Sequence, residues 1–153
     1  MKKVVFVLSE WGYWGEEIIG PLEACDNAGY EITFVTPTGK KPVPLGTSMS
    51  PGFIDPPLGK SVTSPEMAEK TWQVDRSGRL DHPRNLAEWV PRRPYPSSPT
   101  YLRDMEAYYR RRRELERQEL TNYDAIVVVG GSGALVDLAN NQRLHSIQHE
   151  ERN

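Results

Sequence analysis

The run Ala125-Ile126-Val127-Val128-Val129 passes directly into Gly130-Gly131-Ser132-Gly133, and a helical pattern begins at Ala134. Bare backbone amides at the mouth of a helix bind phosphate or stabilise an oxyanion; the same residues also make a plain strand-to-helix turn. The fingerprint G-x-G-x-x-G is absent and the loop follows the third strand rather than the first, so no nicotinamide cofactor is expected. Glu16 and Glu17 stand where an earlier loop enters a helix, and a carboxylate there is stabilised by the helix dipole. Glu17-x-x-x-Pro21 after a Gly-containing loop puts Glu17 at the C-terminal end of the first strand. It is expected beside Gly130-Gly131, on the rim where open α/β sheets bind ligands. Trp11, Trp14, Gly130 and Ser132 complete the candidate pocket.

Other reactive side chains are sparse. The single cysteine, Cys25, lies eight residues beyond Glu17 and is expected to point into the core as a small apolar group. His145 and His149 are four apart, but Ser146 occupies the place of the glutamate in a zinc-binding H-E-x-x-H, so no metal is expected. His82 precedes Pro83 in a polar stretch and reads as a surface residue. No Ser-His-Asp arrangement follows from order or spacing.

The elements that must position these residues are legible. Val4–Leu8 is a short β-branched run expected as a central parallel strand. Ile18, Ile19, Leu22 and Cys25 recur at helical spacing, with Ala28-Gly29 as the stop. Pro21 is expected to bend that helix or shift its start. Glu31–Val35 is a second strand, so the first 35 residues form a right-handed βαβ unit. Twelve of the thirteen prolines lie between Pro37 and Pro99. Residues 37–100 are therefore read as an ordered insertion over the loop end of the sheet, too polar for a core of its own and without assigned helix or strand. Residues 101–120 form a helix with the stripe Leu102, Met105, Tyr109 and Leu115. Its run Arg110–Arg113 is read as a solvated face interleaved with glutamates. The strands are expected in the spatial order second, first, third.

Composition narrows the function classes. The 153 residues carry a net charge of −2, against the basic balance of a nucleic-acid binder, and no apolar run approaches the ~18 residues of a membrane span. Hydrophobic residues make up 37%, which implies a lean core for one domain. The apolar run at Val4–Leu8 is too short for a signal peptide and a free cysteine suits a reducing compartment, so a cytoplasmic location is expected.

Three segments together resemble the DJ-1/PfpI (ThiJ/PfpI) superfamily, also called class I glutamine amidotransferase-like. They are Lys3–Leu8, Glu17-Ile18-Ile19-Gly20-Pro21-Leu22-Glu23 running on to Asn27–Ile32, and Asn122-Tyr123-Asp124-Ala125-Ile126-Val127-Val128-Val129-Gly130-Gly131-Ser132-Gly133-Ala134. The long insertion is similar to that of the larger, chaperone and glyoxalase III-like branch. The resemblance implies a flavodoxin-like three-layer α/β sandwich with a parallel sheet. It implies that Glu17 is the acid beside a nucleophilic cysteine and that Gly131 supplies an oxyanion-hole amide. It implies cofactor-free cysteine chemistry on small reactive carbonyls, of glyoxalase III, deglycase or amidase type, or a stress-chaperone role.

In that family the nucleophile stands on an elbow after a fourth strand, and no residue here matches it. The chain is accordingly read as a single incomplete domain over residues 1–153, truncated or frameshifted before the elbow and inactive alone. Residues 125–129 are expected to form an open sheet edge, and the sheet faces to be poorly covered. The chain would then self-associate or need the missing C-terminal half. The other readings are a non-enzymatic binding or holdase protein, and a phosphate or nucleotide binder using the Gly130 loop.

Overall fold

The computed structural model describes residues 1–148. Strand β1 (Lys3–Val7) is built from Val4-Val5-Phe6-Val7, and alternation along it sends side chains to opposite faces. Val4 and Phe6 enter one core, and Val5 and Val7 enter a second. All four are at most 3% exposed, so both faces of this strand are dry.

Helix α1 (Gly15–Asn27) lays Ile18, Ile19, Leu22 and Cys25 on the Val4–Phe6 face. It ends where Gly29 takes a φ of +67° and the Tyr30 amide reaches back to the Cys25 carbonyl. Pro21 was expected to bend or displace the helix, yet α1 runs through it. The carbonyl that Pro21 leaves without a donor is that of Glu17, and both Glu17 and Gly20 are exposed, so the gap in the helix bonding falls on the solvent side.

Strand β2 (Glu31–Thr36) pairs in parallel with β1, Val4 opposite Ile32. The insertion then departs from expectation, because it contains regular elements. A small antiparallel hairpin joins β3 (Ile54–Asp55) to β4 (Lys60–Ser61). Helix α2 (Pro65–Arg76) follows, with Ser64 accepting from the Met67 amide at 3.1 Å and Pro65 in the first turn. Strand β5 (Arg84–Asn85) joins the sheet beside β2, and a one-turn helix α3 (Leu86–Trp89) follows. Pro65 opens α2, and Pro51, Pro56, Pro57, Pro96 and Pro99 sit in turns, where a missing amide costs little.

Helix α4 (Tyr101–Gln118) covers the second face, but on a different stripe from the one expected. Tyr108 and Leu115 are buried, whereas Leu102 is 81% and Tyr109 43% exposed. The inward line runs through Tyr108, Arg112 and Leu115, and the Arg112 stem does apolar duty while its head pairs with Glu116 at 3.3 Å. Strand β6 (Ala125–Val128) pairs in parallel with β1 on its other side, and α5 (Ala134–Asp137) and α6 (Gln142–Gln148) close the described chain.

The sheet order is β5-β2-β1-β6, all parallel, with helices on both faces: a flavodoxin-like α/β sandwich. The expected order of the three main strands holds, and β5 extends it by one. The sheet faces are also better covered than expected, because the insertion does the covering. Leu80 is fully buried in the α1 face and Leu86 in the α4 face, with Trp89 and Val90 beside it. β6 fits the expectation of a wet edge: among the described residues nothing pairs its outer side, and Val128 is 39% exposed.

Both insertion leucines should therefore behave as core residues. Leu80→Ala and Leu86→Ala are each expected to cost about 2–5 kcal/mol in chemical denaturation. A loss below about 0.5 kcal/mol at either would mark the insertion as an appendage.

Candidate functional site

The loops after β1 and β6 meet backbone to backbone. The Trp14 amide donates to the Gly130 carbonyl at 2.9 Å, and the Gly133 amide to the Gly12 carbonyl at 3.1 Å. Such an approach tolerates no side chain at Gly131 or Gly133. A Cβ on Gly131, whose φ is +123°, would lie 2.7 Å from the Trp14 nitrogen, and one on Gly133 2.4 Å from the Gly12 nitrogen. This crevice, between β1 and the neighbour reached by the opposite crossover, is the switch point of the sheet.

Glu17 stands over it. From the first turn of α1 its Oε2 accepts from the Gly130 amide at 2.7 Å, and a Cβ on Gly130 would lie 2.3 Å from that oxygen. The adjacent Gly131 amide has no acceptor among the described residues. A carboxylate and an open amide thus stand side by side. Such a pair can orient a carbonyl oxygen and move a proton next to it.

The other sequence candidates are placed as follows. Trp14 is half-buried at the N-cap of α1, Ser132 is exposed on the loop, and Trp11 is 69% exposed, with its indole largely in solvent. Cys25 lies in the α1 core, away from the rim. His82 is exposed; His145 is exposed, with its Nε2 3.0 Å from the Ala139 carbonyl; His149 lies outside the described residues. Among the described residues no three His, Cys, Asp or Glu side chains stand together as a metal site, and no helix is long and apolar enough to cross a membrane.

Several residues that shape the site escaped the sequence reading. The Glu10 carboxylate accepts from the Thr38 amide and hydroxyl, and the Glu10 amide donates to Asp137 Oδ2 at 2.8 Å, so three loop ends are tied together. Tyr13 is the buried member of the aromatic turn, fully covered, with a hydroxyl that has no partner among the described residues.

Comparison with known proteins decides the family. The sequence matches the ThiJ/PfpI family-like profile over residues 8–150. This chain belongs to that family. Two solved structures share the fold of this ThiJ/PfpI-like chain. The X-ray structure of the Francisella tularensis Rapid Encystment Protein 24 KDa is 18% identical with a TM-score of 0.54, covering 98% of this chain and 53% of its own. The crystallographic structure of APC35852 is 17% identical with a TM-score of 0.52, covering 96% and 50%. The ThiJ/PfpI-like chain thus spans about half the length of these structures. No curated protein matches it.

Tyr13 gives the loop a pH signature. Burial raises its phenol well above the ordinary tyrosine value near 10, and the negative charge of Asp75 adds to the rise. The folded state therefore keeps a proton that the unfolded chain releases above about pH 10. This contribution to stability is complete below that pH and is lost as pH rises further. Tyr13→Phe, which also removes an unpaired buried hydroxyl, should equal or exceed the parent by up to ~1 kcal/mol at neutral pH. It should also lose less stability between about pH 9 and pH 11. Urea titrations at both pH values check this; equal losses in the two proteins would refute it.

Proposed function

We propose that this chain supplies the acid-and-amide side of a ThiJ/PfpI-type carbonyl site and does not turn over substrate by itself. The reading rests on the Glu17 carboxylate bonded to the Gly130 amide with the open Gly131 amide next to it. In it, the Gly131 amide receives the oxygen of a small reactive carbonyl such as a 2-oxoaldehyde. Glu17 holds or passes the proton on the adjacent carbon or nucleophile. No cofactor is invoked.

Covalent chemistry of this kind needs a thiolate within reach of the carbonyl carbon. The only cysteine in the 153 residues is Cys25, two helical turns below the rim and buried in the core. Its free thiol suits a reducing, cytoplasmic setting. A phosphate or nucleotide in the same loop is disfavoured, because the Glu17 carboxylate already takes the Gly130 amide and repels a second anion.

Purified chain given methylglyoxal should produce no hydroxy acid above the buffer background, followed by loss of the aldehyde. Turnover that Glu17→Ala abolishes would overturn the proposal of inactivity.

A separate observation favours self-association. Among the described residues the outer side of β6 is unpaired, and beside it opens a cavity of about 510 Å³ whose lining includes Val5, Trp89, Leu120, Ile126 and Ile147. An unpaired edge next to apolar surface templates pairing with another chain, and a lysine on such an edge blocks it. Sedimentation should show concentration-dependent dimers or larger species, shifted toward monomer by Val128→Lys. A parent chain that stays monomeric at ~100 μM would contradict this, since pairing of this kind is favoured by concentration.

A further inference from the structure

Helix α1 lacks a cap of its own. Trp14 at the N-cap position makes no side-chain hydrogen bond to the first turn. The missing acceptor comes from the insertion: Ser48 Oγ accepts from the Gly15 amide at 3.1 Å and donates to the Leu45 carbonyl at 2.8 Å. Ser48 is 1% exposed, so this bond is shielded from water.

The approach to Ser48 is itself a guided path. The Tyr13 amide donates to the Val43 carbonyl at 3.0 Å and the Leu45 amide to the Tyr13 carbonyl at 2.8 Å, which sets residues 43–45 in register beside the loop after β1. On the other side of Gly15 stands Thr71 of α2, fully buried, its hydroxyl bonded to the Met67 carbonyl at 2.8 Å. A Cβ on Gly15 would lie 2.2 Å from Thr71 Oγ1. The first residue of α1 is thus held between a hydrogen bond and a close steric wall, both from the insertion. Two residues later comes Glu17, whose own amide is bonded to the Trp14 carbonyl at 3.2 Å.

We infer that Ser48 is a positioning residue: by capping α1 from the insertion, it holds the Glu17 carboxylate on the Gly130 amide. The inference rests on the reading of Glu17 given above and adds the residue that aims it. A cap that fixes the first turn fixes the direction in which a side chain leaves that turn. Without it the turn frays, and the carboxylate samples water instead of a single amide.

The Gly130 amide proton reports this directly. Donation to a carboxylate shifts its resonance downfield, and the shift collapses when the carboxylate is protonated. In ¹⁵N-labelled full chain, Gly130 should titrate with Glu17 on acidification, and Glu17→Gln should abolish that titration. Ser48→Ala should reduce its amplitude to less than half. Asn85→Ala, which removes the cap from α3 on the opposite face, should leave it at the parental value. An unchanged amplitude in Ser48→Ala, or an equal reduction in Asn85→Ala, overturns the positioning role. If Ser48→Ala does not fold, Ser48→Cys, similar in volume and a poor acceptor, is read in the same way. A Gly130 titration that survives Glu17→Gln overturns the site reading instead, and the positioning role with it.

Discussion

The structure depends on how closely two loop backbones approach. Where the segment after β1 meets the segment after β6, the contact runs amide to carbonyl, Trp14 to Gly130 and Gly133 to Gly12, with no room for a side chain at Gly131 or Gly133. That contact places the first turn of α1 within one carboxylate's length of the Gly130 amide. The glycines are therefore spent on proximity as well as on turning. A carboxylate already seated in the loop gives it the electrostatics of a site for neutral or polarised groups, not for anions.

The second constraint is the two-faced burial of β1. With both faces of this strand dry, each needs its own cover, and the lean composition does not supply that from regular helices alone. The insertion meets the need at three places along α1. Ser48 serves its first residue, Lys70 pairs with Glu23 midway at 2.8 Å, and Arg79 grips Asp26 near the end through two bonds of 2.7 and 2.9 Å. The hydrogen bonds from Arg79 hold the Asp26 carboxyl below its usual range, although both side chains remain largely in water, where such a pair adds little.

Much of this was legible in the residues. The β-branched apolar run Val4–Leu8, the helical spacing from Ile18 to Cys25, the alternation in Glu31–Val35 and the apolar run before Gly130 pointed to the strand order, because each is a local pattern with a plain geometric reading. Glu17 and Gly130 could be placed on one rim because loops at the same end of adjacent parallel strands must be neighbours. The insertion was not legible in the same way. Its proline density masked α2, although Ser64-Pro65-Glu66 is a helix start by its chemistry, and two-residue strands such as β5 have no periodicity to read. The inward stripe of α4 was misread because an arginine stem fills the place where apolar spacing looks for leucine. Ser48 and Thr71 act on Gly15 across the chain, and no local pattern announces such a pairing.

The central position of β1 also dictates an order of events as the chain leaves the ribosome. Its pairing with β2 closes within the first 36 residues, but on the other side Lys3 meets Asp124, a partner 121 positions away. At a synthesis rate of ~5–20 residues per second the stretch between the end of β2 and the start of β6 takes roughly 4–18 seconds. Throughout it, a β-branched strand with one bare edge is tethered to a growing polar segment and exposed to any other nascent strand nearby. Such a long-range closure is slow in any refolding experiment as well. A polar, proline-rich span between the early βαβ unit and its late partner is well suited to that wait: it offers little that could pair with β1 before residues 125–128 emerge.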